Sequence, residues 1–264
     1  MYFKNKTIWV TGASSGIGKS LALELSNYSV NLVLSARNKE ALEAVKRACK
    51  YPDKVIILQM DLENHSEIKK RVAEAVRCFG TIDILINNAG ISQRSFVNQT
   101  NLEVDKRIMN INYLGTIAVT KALLPHFVEK KSGHFVVVTS IVGKIGTPLR
   151  SSYAASKHAL HGFFDSLRAE HYNDNIFVTL VCPGFVKTQI SLHALTGDGT
   201  PQNKMDTATK NGMTPEVFAR KMLRAVSRKK EEVYIGGLKE RTAVYAKRFF
   251  PKLLSVMLRK LAVT

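Results

Sequence analysis

Thr7-Ile8-Trp9-Val10-Thr11-Gly12-Ala13-Ser14-Ser15-Gly16-Ile17-Gly18 is the stretch that decides the fold. An apolar run from Thr7 to Val10 meets a turn with glycines at 12, 16 and 18, and Ile17, Leu21 and Leu25 then recur four residues apart, as on one face of a helix. A strand that passes through glycines straight into a helix makes a phosphate cradle. Glycine lets the backbone come close, and the helix start offers unpaired N–H groups and the positive end of its dipole. The order strand, glycine turn, helix is the context such a motif requires, although its spacing is not the commoner G-x-G-x-x-G.

Working outward, the same alternation repeats. Strands are expected at Asn31 to Leu34, Val55 to Met60, Ile82 to Asn87, Gly133 to Thr139, Ile176 to Cys182 and Glu232 to Ile235. Helices are expected at Lys39 to Cys49, Ser66 to Phe79 (with Ser66 as N-cap), Leu102 to Lys130, Tyr153 to Tyr172 and Pro215 to Arg228. The long helix from Leu102 should be interrupted near Gly115 and irregular at Pro125. Short, wholly apolar strands alternating with helices predict an α/β fold: a doubly wound parallel sheet of about seven strands with helices on both faces. No linker or repeat divides the chain, so residues 1–264 read as a single domain. Residues 191–213 are rich in small and polar residues and read as a mobile excursion near a substrate pocket, and residues 239–264 as a basic tail.

Composition bounds the rest. With 45% hydrophobic residues in a 264-residue chain, a sizeable core can form. Cys49, Cys78 and Cys182 are scattered and odd in number, which fits a reducing compartment better than a disulfide framework. The first six residues run at once into the first strand, and the apolar runs are too short to span a bilayer, so the expected location is the cytoplasm. The net charge is +18, and the stretch from Lys204 to Thr264 holds fifteen Lys/Arg against five Asp/Glu. Such an excess can attract a phosphorylated cofactor, anionic lipid or nucleic acid. Nucleic acid is disfavoured because no groove-reading motif or stacking platform is present. His158 and His161 have helical ligand spacing but no partner carboxylate or thiol, so no metal site is expected.

The chemistry-bearing residues follow the cradle. Tyr153-Ala154-Ala155-Ser156-Lys157 puts a phenol and an ammonium one helical turn apart, and a nearby cation favours phenolate. Ser140 follows an apolar strand, at the carboxyl end where an open α/β sheet presents functional groups. With Asn112 these segments resemble the short-chain dehydrogenase/reductase family, classical type. The resemblance runs in order from residue 5 to about 190, through Thr11 to Gly18, Asp61-Leu62, Asn87-Asn88-Ala89-Gly90 and Pro183-Gly184 with Thr188. In overall pattern the chain is similar to the hydroxysteroid dehydrogenase and lipid ketone reductase branches.

The resemblance implies a Rossmann-type fold and an oxidoreductase in which hydride passes between nicotinamide C4 and a carbonyl or secondary alcohol carbon. It implies that Tyr153 exchanges the proton with the substrate oxygen. Lys157 lowers the Tyr153 pKa and holds the ribose, Ser140 hydrogen-bonds the substrate oxygen, and Asn112 holds a water that links Lys157 to bulk. Cofactor contacts are implied for Gly12, Ser14, Ser15, Gly16, Ile17, Gly18, Arg37, Asp61, Leu62, Asn88, Ala89, Gly90, Tyr153, Lys157, Pro183, Gly184, Val186 and Thr188. The second strand ends Leu34-Ser35-Ala36-Arg37, with Ala36 where an acid would bind the 2′-hydroxyl of NAD, and Arg37 suits a 2′-phosphate; NADP(H) is expected. Phe96, Ser140, Leu149, Tyr153, Phe185 and Leu192 are expected to form the pocket of a hydrophobic, steroid-like or lipid-derived substrate. The alternative is a dinucleotide-binding redox sensor or scaffold without turnover.

Partners are read less directly. In the family, the helices carrying Asn112 and Tyr153 are the usual subunit contacts, so a homodimer or homotetramer is expected. At the C-terminus, Pro251 can start a helix with Leu253, Leu254, Met257, Leu258 and Leu261 on one face, Lys252, Arg259 and Lys260 off it, and Val256 interrupting it. Such a helix can lie on an anionic membrane or pack against protein, and packing is favoured.

Overall fold

Alternation along each strand sends apolar residues to both sides of one sheet. The computed structural model describes residues 2–260, and Leu261 of the amphipathic stripe lies outside them. In chain order the elements are β1 (Thr7–Thr11), α1 (Gly16–Leu25), β2 (Asn31–Ala36), α2 (Lys39–Ala48), β3 (Val55–Gln59), α3 (His65–Phe79), β4 (Ile84–Asn87), α4 (Leu102–Met109) and α5 (Thr116–Glu129). They continue with β5 (Gly133–Val138), α6 (Ser151–Glu170), β6 (Ile176–Pro183), α7 (Thr207–Lys210), α8 (Pro215–Ser227), β7 (Glu232–Ile235), α9 (Leu238–Phe249) and α10 (Pro251–Lys260). The seven strands form one parallel sheet in the order β3-β2-β1-β4-β5-β6-β7. Ile8 and Val10 join Leu21, Leu42 and Phe218 of α1, α2 and α8 on one face. Trp9 joins Ile68, Phe127 and Phe164 of α3, α5 and α6 on the other. Chain order reverses between β1 and β4, and there the strand ends part to leave a crevice. No helix among the described residues is long and apolar enough to cross a membrane.

Three expectations need correction. Ser66 is not the N-cap of α3: Asn64 holds that position, and the Ser66 hydroxyl donates to the Asn64 side chain at 2.8 Å. The helix from Leu102 is interrupted near Gly115 as expected, by a π-helical turn over Asn110–Gly115 between α4 and α5, but Pro125 lies inside α5 on an exposed position and does not end it. The break arises from tertiary bonding. The Asn112 carboxamide accepts from Ile91 N–H at 2.8 Å and donates to Ile91 O at 2.9 Å. A Cβ at Gly115 would stand 2.6 Å from Leu62 O, so the turn also lies tight against the β3–α3 connection. Third, the excursion at 191–213 is tied down. Leu195 bridges to Gln93 and Pro201, Met213 bridges to Val186, and Ser191, Ala194 and Asp206 are buried.

One buried histidine makes the fold acid-sensitive. His134, in β5, is 2% exposed; its ring bonds the Tyr2 hydroxyl and the Thr179 hydroxyl, each at 2.8 Å. Burial, then the charges of Lys229 and Lys6, push its pKa from 6.5 down to about 3. The unfolded chain therefore binds a proton that the folded chain refuses between these values, and stability drains away as pH falls through that window. About 3 kcal/mol should be lost by about pH 4 from this group alone. Urea midpoints measured against pH should fall less steeply for His134→Gln; identical slopes would assign the acid sensitivity elsewhere.

Candidate active site

The crevice is a cavity of about 740 Å³ at the carboxyl ends of β1, β2, β4, β5 and β6. Its floor is the glycine turn. Gly12 has φ +64°, and a Cβ there would stand 2.7 Å from Ala89 Cα. A Cβ on Gly18 would stand 2.1 Å from Gly12 O. These approaches bring the start of α1 down onto the strand ends and leave Ser14, Ser15, Gly16 and Ile17 on the cavity wall. Thr11 Oγ1 accepts from the N–H groups of Asn88 and Ala89 at 3.1 and 3.2 Å, and Asn88 Nδ2 donates to Thr11 O and Gly12 O. Asn88 thus holds the turn closed, while Ala89 and Gly90 line the space beside it. Arg37, exposed, stands at the end of β2 beside Asn38, which caps α2 by accepting from Ala41 N–H. Asp61, Leu62, Pro183, Gly184, Val186 and Thr188 line the same cavity. The site therefore has the features a dinucleotide needs: a cradle that no Cβ would fit, a helix N-terminus and an elongated cleft.

The other half of the cavity holds Ser140, Tyr153 and Lys157. Ser140 follows β5, and its Oγ accepts from Val142 N–H at 3.1 Å while its hydroxyl faces the Tyr153 phenol. Burial pushes the Tyr153 phenol above its ordinary value, and a hydrogen bond with Ser140 and the guanidinium charges of Arg94 and Arg150 oppose that. Lys157 stands beside the phenol ring and is itself anchored to the strand. Lys157 Nζ donates to Val138 O at 2.9 Å and stands 5.8 Å from the Tyr153 ring centre. Burial lowers its own pKa to about 8. Asn112 is fully buried and does not reach the wall; its carboxamide is committed to Ile91 and to Ser156 Oγ. It acts as a brace beneath Gly90, next to Lys157 Nζ.

Of the expected substrate residues, Phe185 lines the cavity with Ser140 and Tyr153, and Phe96, Leu149 and Leu192 do not. Phe96 is more than half exposed, and its carbonyl accepts from the Thr100 hydroxyl. Leu149 contributes backbone: with φ +66° it makes the turn into α6, and its carbonyl accepts from Ser95 N–H. Leu192 O accepts from Asn203 N–H within the excursion. The walls instead include Thr147, Ile190, His193, Ala243 and Leu258.

Two arrangements were not legible in the sequence. Gln93, wholly buried, caps α6 from outside: its Oε1 accepts from Ser152 N–H at 2.9 Å and Tyr153 N–H at 3.4 Å. Its Nε2 reaches the hydroxyls of Ser95, Thr100 and Ser151. The helix has no side-chain cap of its own, so Gln93 satisfies N–H groups that would otherwise be orphaned and fixes where Tyr153 begins. Beside it, Arg94 and Arg150 both pair with Asp206, all three nearly buried. Burial raises the Asp206 carboxyl, but the hydrogen bonds and charge of Arg94, the Gln202 hydrogen bond and the Arg150 charge together hold the group below its usual range. Breaking such a pair one-sidedly leaves a buried charge, so Asp206 pins the excursion to the catalytic wall. Cys182 is buried between the Thr139 hydroxyl and His161, and burial pushes its thiol up to about 12, which makes it a packing residue.

Comparison with known proteins agrees with this geometry. Residues 6–197 match the sequence model of the short chain dehydrogenase family. The chain belongs to the short-chain dehydrogenases. It is 41% identical over 257 residues to dehydrogenase/reductase SDR family member 7B of Mus musculus, covering 96% of this chain and 80% of that protein. It is 40% identical over 265 residues to dehydrogenase/reductase SDR family protein 7-like of Drosophila melanogaster, covering 98% and 81%. A short-chain dehydrogenase/reductase from Burkholderia phymatum, crystallised in complex with NAD, superposes with a TM-score of 0.84 at 21% identity, covering 96% of each chain. Short-chain dehydrogenases are oxidoreductases built on this doubly wound sheet, and the present chain has their seven parallel strands.

Proposed function

We propose that this short-chain dehydrogenase is an NADPH-preferring enzyme that interconverts a carbonyl and a secondary alcohol on an apolar substrate. The observation that carries the reading is the convergence of Ser140, Tyr153 and Lys157 on the same cavity as the glycine cradle. When bound, the nicotinamide group supplies or accepts the hydride. The protein's own residues handle the oxygen. Tyr153, kept protonated by burial, donates its proton to the carbonyl oxygen in reduction and recovers it in oxidation. Ser140, hydrogen-bonded to Tyr153, turns its hydroxyl hydrogen to the same oxygen as negative charge develops. Lys157, buried and held by Val138 O, presents its remaining N–H bonds to the sugar side of the cavity. Phe185, Ile190, Ala243 and Leu258 give the substrate end its apolar walls.

Arg37 and the absent acid at Ala36 support the NADPH preference: a guanidinium at the end of β2 pairs with a 2′-phosphate, and β2 itself ends without the acid that would repel it. Arg37→Asp should shift the ratio of kcat/KM values for NADPH and NADH towards NADH by at least about a hundredfold. An unchanged ratio would remove Arg37 from the cofactor site. The reading as a whole is tested by following nicotinamide absorbance with NADPH and NADH against steroid, acyl and small ketones. Turnover with NADPH and an apolar ketone supports it; tight binding without turnover across the panel would favour a sensor.

A further inference from the structure

The last two helices pack on each other and use opposite faces. Leu254 is buried and Leu258 half-buried against Ile141, Ile145, Tyr234 and the inner side of α9. On the other side Phe249, Phe250, Leu253, Val256 and Met257 are all exposed, from 46% at Met257 to 68% at Phe249, while the Tyr245 ring packs edge-on against Tyr234 at 6.3 Å. Along α10, at 3.6 residues per turn, Leu253, Val256 and Met257 share the arc turned away from Leu254 and Leu258. Single exposed apolar residues are ordinary, but five of them between Phe249 and Met257 make a patch, and patches of this kind mark binding faces.

Charge selects the partner. From Leu238 to Lys260 there are seven Lys/Arg and one acid, Glu240. The Glu240 carboxyl lies close against Gly184 and Gly237, on the inner side of the hairpin. Arg248 and Lys252 are exposed beside the patch, and the exposed Lys247 and Arg259 line the groove next to Leu254 and Leu258, with no acid among the four. Packing it on the same patch of a second copy would set two such basic clusters face to face, which Coulomb repulsion opposes. An anionic lipid surface suits both features: aromatic and aliphatic side chains enter the acyl boundary while Lys and Arg meet headgroup phosphates.

We propose that the α9–α10 hairpin docks on the surface of an anionic lipid bilayer. The inner side of the same hairpin walls the catalytic cavity through Lys239, Ala243 and Leu258. A groove of about 350 Å³ between Ile145, Pro148, Pro251 and Leu254 adjoins it, and Leu258 lines both. Docking sets these walls beside the acyl layer, so an apolar substrate moves from the bilayer towards Tyr153 with little exposure to water.

The test is co-sedimentation of the purified full chain with vesicles of phosphatidylcholine alone or mixed with phosphatidylserine, over a range of salt. Strong partition to the mixed vesicles, lost at high salt, is expected. Replacing Lys247, Arg248 and Lys252 with Ala should lower the partition coefficient about a hundredfold. Phe249→Ser with Phe250→Ser should weaken it as well, and NADPH binding, measured in parallel, should stay as in the wild type because these positions are exposed and outside the cavity wall. Equal partition to both kinds of vesicle, none to either, or wild-type partition of the variants would overturn the proposal. So would variants that dissociate an oligomer in sedimentation velocity while still binding vesicles, since the patch would then belong to a second copy. None of these readouts needs turnover, so their failure is separable from failure of the proposed reaction.

Discussion

Tyr153→Phe should lower kcat by about a thousandfold and leave the affinity for NADPH close to that of the wild type. The change removes one oxygen from a half-buried ring and no apolar contact, so packing is kept. What is lost is the hydroxyl in the cavity that hydrogen-bonds Ser140 and lies within the field of Arg94 and Arg150. Because burial holds the phenol above its ordinary pKa, the group stays protonated through the neutral range. Reduction by the wild type should therefore be nearly independent of pH there, and oxidation, which needs the deprotonated form, should quicken as pH rises. Stopped-flow rates with NADPH and fluorescence titration of the cofactor separate the two quantities. Turnover retained in the Phe variant would assign the proton to another group. Loss of cofactor binding together with turnover would make Tyr153 structural.

Gly18→Val should abolish cofactor binding and destabilise the fold by at least about 3 kcal/mol. Even the first carbon of the new side chain would stand 2.1 Å from Gly12 O and 2.7 Å from Asn88 Nδ2. The carbonyl is backbone, and Asn88 is itself hydrogen-bonded to Thr11 and Gly12, so neither can yield cheaply. The only relief is to lift α1 away from β1, which takes the helix N-terminus out of the cradle and opens its contact with α8. Cofactor affinity should drop by at least about a hundredfold, measured by calorimetry alongside a urea melt. A stable Gly18→Val variant with near-normal affinity would show that the close approach is not what positions the phosphates.

The sequence by itself determined the elements and the chemistry that depend on neighbours in the chain. Strand and helix periodicity gave the parallel sheet, and the β7 boundaries agree with the structure residue for residue. The glycines at 12, 16 and 18 marked the cradle, and one helical turn between Tyr153 and Lys157 marked the helix that sends both side chains to the cavity. These are local patterns, set by backbone geometry and by spacing within one element.

Whatever depends on residues far apart in the chain was decided by the tertiary structure. Gln93 caps a helix that begins some sixty positions later, and Asp206 neutralises arginines at 94 and 150. The break near Gly115 was legible, but its form as a π-helical turn around Asn112 depends on Ile91 passing beside it. The substrate wall went furthest astray: Phe96 and Leu192 are apolar and near the site in sequence, yet the wall includes Leu258 from the last helix. That helix also divided its apolar stripe, with Leu254 and Leu258 turned inward and Leu253 and Met257 outward. Periodicity can say that a residue is apolar and on a given arc. Which arc finds protein and which is left for another surface depends on what long-range packing brings alongside.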